Sequence, residues 1–295
     1  MPRPAFEQLL SGLDQLSREQ LSRLADAASA LHGAGQAAEV IETARAPHLM
    51  CPRCQGAKLY RHGQANGLQR FRCRSCGRTF NSLAGTPLAR RRHKNKWLDY
   101  CATLLDPATT VRRSANTVSV HRNTAFRWRH RMLDWPRLDR QTPLTGIVEA
   151  DEMYLLESHK GARKLTRPAR RRGGRASKRG ISQEQVCILV ARDRSGRTHD
   201  AIPGKGPVTA AQLRVHLAPV LAPDALLVTD SHAAYRRFAQ QHGFQHRSIN
   251  VSAGEHAHGT VHVQNVNGYH SRLRGWLHHF RGVATRYLAN YCGWR

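Results

Sequence analysis

Acidic residues are scarce in this chain. Its 295 residues hold 20 Asp and Glu against 47 Lys and Arg, a formal charge of +27. An excess of this size points to a polyanion partner, nucleic acid before membrane, because the basic residues lie in several separate segments and no amphipathic anchor accompanies them. Long apolar runs are missing as well. No stretch approaches the roughly 18 residues of a membrane span, and the opening MPRPAFEQLL lacks the charged-then-apolar profile of a signal peptide. The expectation is a cytoplasmic protein without a membrane partner. Cysteine is sparse too, seven residues in all, yet four of them form two CxxC pairs, which in a reducing compartment reads as metal binding and not as disulfides. What is present suffices for a core: 40% hydrophobic content over this length supports two or three modules and excludes a disordered tail.

The segments separate by pattern. Residues 1–47 put Leu9, Leu10, Leu13, Leu16, Leu21 and Leu24 at mostly helical spacing, which predicts one or two amphipathic helices, broken by the Gly-Ala-rich piece from His32 to Ala37. Residues 48–90 carry Cys51-Pro-Arg-Cys54 and Cys73-Arg-Ser-Cys76. Two CxxC knuckles eighteen residues apart fit one tetrahedral zinc on two short hairpins, a zinc ribbon. Gly77 stands where the second knuckle needs a residue tolerant of positive φ. Residues 91–137 read as a helix closed by Asp106-Pro107, then a helix, a break at Ser119 to Arg122, and a second helix. That order fits a helix-turn-helix with Asn123 as N-cap and Thr124, Arg127 and His130 on the outward face of a DNA-recognition helix. An ordinary helical hairpin is the plainer alternative.

Residues 138–295 begin with the stretch around which the rest is arranged, GIVEADEMYL from Gly146 to Leu155. Its apolar and β-branched residues mark a strand, and an aspartate in mid-strand is costly unless it meets a cation. A basic arm follows at 158–180, ten Lys and Arg without an acid, among them Arg170, Arg171 and Arg172, placed to clamp a phosphate backbone. Further strands are expected at 185–192, 197–202, 226–229 and 246–249, with helices between and after them. This β-β-β-α-β-α-β-α order, with Asp151 on the first strand and Asp230 ending the fourth, is what an RNase H-like domain requires: a mixed sheet with helices, whose adjacent strands bring both carboxylates to one edge. Glu149 shares a face with Asp151 by strand alternation and Glu152 does not, so Glu149 is the reserve metal ligand.

The zinc ribbon, TAFRWRHRML at Thr124 to Leu133, VEADEMY at Val148 to Tyr154, VTDSHAAY at Val228 to Tyr235 and HVQNVNGYHSRLRGW at His262 to Trp276 together resemble the insertion-sequence transposases of the IS1595 type, with an ISXO2-like transposase domain. The resemblance implies a prokaryotic, nucleoid-associated DNA transposase that binds element ends and target DNA, works as a homo-oligomer in a synaptic complex, and cuts and joins strands with two Mg²⁺ or Mn²⁺ ions. It implies a metal-binding triad of Asp151, Asp230 and Asn267, the last where many relatives carry Glu, and it places Arg274 where relatives often have Lys. Two rival readings stand beside it. One is a zinc-ribbon regulator derived from such a transposase and catalytically inactive; the other is a metal hydrolase built on His256, His258 and His262.

Overall fold

The computed structural model describes residues 3–134, 143–165, 167–170, 173–250, 253–254 and 259–294. They form two compact units, one through Met132 and the other from Leu133 onward. Among the described residues no helix is long and apolar enough to cross a membrane.

In the first unit, α1 (Arg3–Ser11) is followed by α2 (Arg18–Arg45), which opens on a capping box: Ser17 Oγ accepts from Gln20 N, and Gln20 Oε1 accepts from Ser17 N. The expected break at 32–37 does not occur, and α2 runs through it. The reason lies in packing. A Cβ on Gly33 would sit 2.8 Å from the Asn95 carbonyl oxygen, so glycine here lets the helix touch the backbone of 94–96. Nor is the leucine face buried: Leu9, Leu10, Leu21 and Leu24 are exposed, and the residues α2 buries are Ala37 and Ala38.

Strands β1 (Leu59–Ala65), β2 (Leu68–Cys73) and β3 (Thr79–Asn81) pair antiparallel in sequence order. Three helices complete the unit: α3 (Trp97–Leu105), α4 (Val111–Thr117) and α5 (Arg122–Met132). Trp97, Tyr100, Ala115, Ala125 and Trp128 form their core together with Leu68. Tyr100 and Trp128 meet edge to face at 5.3 Å. Trp128 is therefore the inward aromatic of α5, while Phe126 covers the same helix by an edge contact to His130 at 4.5 Å. The N-cap expected at Asn123 belongs elsewhere: α5 begins at Arg122, and His121 Nδ1 accepts from Asn123 N.

The second unit is a five-stranded sheet: β4 (Ile147–Leu156), β5 (Gln185–Asp193), β6 (Thr198–Lys205), β7 (Leu226–Asp230) and β8 (Gln245–Ile249), in spatial order β6-β5-β4-β7-β8. β4 and β6 each run antiparallel to β5, while β4, β7 and β8 are parallel. β5 reads as a continuous apolar run because both its faces are covered. On one face Val148 and Ala150 of β4 pack against α6 (Ala210–His216) and α7 (Ala233–His242) through Leu213, Tyr235 and Phe238. On the other, Met153 packs against α8 (Gln264–His279) and α9 (Leu288–Trp294) through Val266, Tyr269, Leu273 and Tyr291. Three antiparallel strands continued by two parallel ones, with helices on both faces, make this an RNase H-like fold. Of the helices expected between the strands, the one after β6 is cut short at Pro219, leaving α6 and one 3₁₀ turn.

Candidate active site and metal centre

The four knuckle cysteines come together in the first unit, their sulfurs all within 4.8 Å of one another. Cys51 and Cys76 sulfurs lie 3.5 Å apart and those of Cys54 and Cys73 3.6 Å. A tetrahedron with Zn–S bonds near 2.3 Å has edges of about 3.8 Å, so the donor set fits zinc in number, chemistry and spacing. The knuckle backbone prepares it. Gln55 N bonds Cys51 O and Gly77 N bonds Cys73 O, with Gln55 and Gly77 both at positive φ. The Cys76 N–H, working against burial and helped by the Ser75 N–H, holds the Cys73 thiol down at about 6, while against the Gly56 N–H the Cys76 and Cys73 sulfurs push Cys54 up to about 12, so without metal the negative charge of this pair rests on Cys73.

On α5, Arg127 is exposed, Asn123 is exposed and Thr124 is half-buried. His130 is not on the outward face: it is 8% exposed and meets Phe126 edge to face at 4.5 Å. It follows Ala125 and Trp128 on the inward face. The neighbouring Arg129 is also buried, bonding the Thr109 carbonyl and the Ser114 hydroxyl, so this basic helix spends one arginine on its own fold.

In the second unit, β4 and β7 pair as Ile147↔Leu226, Val148↔Leu227 and Glu149↔Val228. The ladder ends there; its register, carried on by two residues, would bring Asp151 level with Asp230. Both carboxylates are half-buried. Asp230 Oδ1 accepts from His232 N at 3.0 Å. Asp151 Oδ2 lies 3.5 Å from Nδ1 of His270, a buried residue of α8 that patterning alone does not single out. Its position three residues after Asn267 is the available signal, since that spacing puts both on one helix face. Among the described residues no Lys or Arg forms an ion pair with Asp151 or Asp230. In so basic a chain, two carboxylates without a lysine or arginine partner among the described residues suit a cation. The strain shows on the far side of β4, where burial first, and then repulsion from Asp151 and Asp230, push Glu152 up to about 7.

Asn267 and Arg274 are both exposed on α8. Glu149, expected as a reserve ligand, does face the same side as Asp151, but its carboxylate is fully buried and taken. Oε2 accepts from Asn265 N at 2.7 Å and Val266 N at 3.0 Å, and Oε1 from Asn265 Nδ2 at 2.9 Å. Arg194 Nη1 at 3.0 Å and His262 Nδ1 at 3.3 Å also meet Oε1. A carboxylate offers about four acceptor sites, so nothing is left for a metal. His262 belongs to this group; His256 and His258 lie outside the described residues.

The basic arm is only partly described, and Arg171 and Arg172 lie outside the described residues. Arg170 is held within the unit. Its Nη2 pairs with Glu184 at 2.8 Å, and its Nη1 donates to the Glu157 carbonyl. Lys160 Nζ caps the carbonyls of Phe280, Arg281 and Gly282 just past the end of α8.

Three strands antiparallel and two parallel, with helices on both faces, define an RNase H-like domain. Residues 143–293 match the ISXO2-like transposase domain, and the chain belongs to that family. Residues 48–77 match the InsA N-terminal domain. A relative in the transposable element ISH50 of Halobacterium salinarum is 30% identical over 244 residues, covering 82% of each chain. The iso-IS1N protein InsA of Shigella dysenteriae is 40% identical over 81 residues, covering 27% of this chain and 86% of that one. A solved structure, a pre-cleavage Mos1 transpososome, aligns over 67% of this chain and 74% of that chain at 14% identity, with a TM-score of 0.27.

Proposed function

We propose that this protein is the transposase of an insertion sequence: it binds the ends of its element, cleaves the DNA there and joins the freed end to a target. The observation that carries the reading is the register-matched pair Asp151 and Asp230, without a lysine or arginine partner among the described residues, in a family domain named for transposition. Carboxylate and amide oxygens are the hard donors that magnesium or manganese takes, and Asp151, Asp230 and the Asn267 amide oxygen would hold it. When bound, two such ions make an attacking hydroxyl more acidic and stabilise the leaving oxygen.

The chain's own residues do the rest. His270 steadies one oxygen of Asp151. The remaining basic surface draws in and retains the phosphate backbone. Arg127, exposed on α5, reads base edges, and the arm around Arg171 and Arg172 adds sequence-independent contacts. Zinc holds the ribbon that stands ahead of α3 to α5. Two element ends call for at least two copies of the chain in the working complex.

The test is cleavage of labelled duplex carrying the element's end, with the zinc-loaded protein and Mg²⁺ or Mn²⁺. Wild type nicks the end. Asp151→Asn and Asp230→Asn each abolish cleavage and strand transfer while end binding stays within about twofold, because each removes a charge without changing side-chain size. Cleavage surviving in both single variants would falsify the active-site placement, and tight, specific binding with no cleavage by wild type would return the chain to the regulator reading.

A further inference from the structure

Helix α8 carries Asn267 and His270, yet beyond the Gln264 amide, from which His262 Nδ1 accepts at 3.3 Å, its first turn is not capped by its own neighbours. Val263 stands at its N-cap without a side-chain hydrogen bond, and its first turn holds no acidic residue. The cap comes from 116 residues upstream: Glu149 Oε2 takes the backbone amides of Asn265 and Val266, and Oε1 takes the Asn265 side-chain amide. A carboxylate at a helix N-terminus is favoured by the helix dipole as well as by the bonds it accepts. Arg194, on the turn between β5 and β6, ties the approach to the helix. Its Nη2 donates to the Thr260 carbonyl at 2.7 Å, and its Nη1 lies 2.7 Å from His262 Nε2 and 3.0 Å from Glu149.

We infer that Glu149 is a positioning residue: it pins the first turn of α8 to the catalytic strand and so fixes where Asn267 stands relative to Asp151. The inference rests on the reading of Asp151, Asp230 and Asn267 as the metal-binding group. The linkage is short at both ends. Glu149 precedes Asp151 by two residues on one strand face, and Val266, whose amide it holds, adjoins Asn267. Between these points there is one rigid strand step and one helical step. A second contact, His270 to Asp151, joins the same two elements one turn further along. Strand and helix thus meet through a carboxylate at each of two successive levels, with Asn267 between them. The alternative, Glu149 as a metal ligand, is opposed by three hydrogen bonds already directed at its two oxygens and by the Arg194 guanidinium at 3.0 Å.

The test uses Glu149→Gln in the zinc-loaded full chain, with Arg194→Lys as a milder variant should the first fail to fold. Two measurements are made. The first is hydrogen exchange of peptides spanning 262–268 without divalent metal added. The second is Mn²⁺ binding, with Asp151→Asn as the control that identifies the site. The expected result is exchange at least tenfold faster in the first turn of α8, with the core of the sheet unchanged, and Mn²⁺ binding weakened about tenfold or more while DNA-end binding moves by less than twofold. Unchanged exchange with weakened Mn²⁺ binding would make Glu149 a ligand and overturn the inference. Faster exchange with unchanged Mn²⁺ binding would reduce it to a stability role and overturn it equally. Should wild type show no Mn²⁺ site sensitive to Asp151→Asn, the active-site reading itself fails, whatever Glu149→Gln does to exchange.

Discussion

Asn267 is where the chemistry of the proposed site is thinnest. With Asp, Asp and Asn the group carries two negative charges where Asp, Asp and Glu would carry three. At an effective dielectric near 20, a charge about 4 Å from another is worth several kcal/mol before desolvation is subtracted. Asn267→Glu is therefore expected to lower the Mg²⁺ concentration that half-saturates end cleavage, and Asn267→Ala to lose most activity with partial rescue by Mn²⁺. A metal titration of the three proteins decides it, and identical curves would remove Asn267 from the site. Glu152 offers a second check. Its ordinary value is 4.5 and its folded value about 7, so the folded unit holds a proton that the unfolded chain has released. Stability then falls as pH rises from about 4.5 to about 7. Without added divalent metal, Glu152→Gln should be nearly neutral at pH 5 and stabilising by up to about 3 kcal/mol at pH 8. Urea unfolding at the two pH values measures it, and a difference that ignores pH would contradict it. At this scale the sequence reveals which residues share a face, because strand alternation is a fixed geometry. It cannot reveal what fills the space opposite, which is why Glu149 reads as a spare ligand and His270 stays hidden.

Among elements, the two most visible in the sequence are those with chemical punctuation: the ribbon, with its two CxxC knuckles, and the strand ending at Asp230. Chelating zinc, or Cys73→Ser, should unfold the ribbon while the sheet unit keeps its secondary structure, since the ribbon's own core is small, Phe80 and the cysteines chief among it. Circular dichroism and limited proteolysis separate the two units, and loss of both together would show the sheet unit to depend on the metal. Helix α2 escapes a reading by pattern because glycine has two meanings, a breaker or a close approach, and only the tertiary neighbour tells them apart. Those meanings predict opposite substitutions. Gly35 has nothing within 4 Å of an added Cβ, whereas Gly33 faces a backbone oxygen. Gly35→Ala should stabilise by about 0.5–1 kcal/mol through helix propensity, and Gly33→Ala should destabilise by about 1–3 kcal/mol through overpacking. Thermal melts of the two variants give the signs. Helix α5 is legible in outline and not in detail. Its apolar spacing locates the core, but histidine's double character lets His130 read as outward when it packs beneath Phe126.

For the whole molecule, charge is the property that passes from sequence to structure with the most attrition. Arg129 and Arg170 are absorbed by internal partners, so +27 overstates what a polyanion meets. Arg127→Ala should relax discrimination between element ends and random duplex. Neutralising Arg171 and Arg172 should instead weaken both alike and reduce the salt dependence by up to roughly 0.9 for each phosphate no longer neutralised. Competition binding at several salt concentrations distinguishes them, and an arm variant that alone lost sequence preference would reverse the assignment. The pairing of β4 with β7 has a different kind of consequence, one about lengths. The ladder that joins those strands two residues short of the aspartates sets their level, not the long stretch of chain that separates them, so the hairpin and the arm can lengthen, shorten or be exchanged without changing that register. The two-residue step from Glu149 to Asp151 has no such freedom. A single inserted residue there would turn one of them to the opposite face of the sheet. The chain thus combines a variable-length cassette with a spacing that tolerates no change, and natural length variation should collect in the first and be missing from the second.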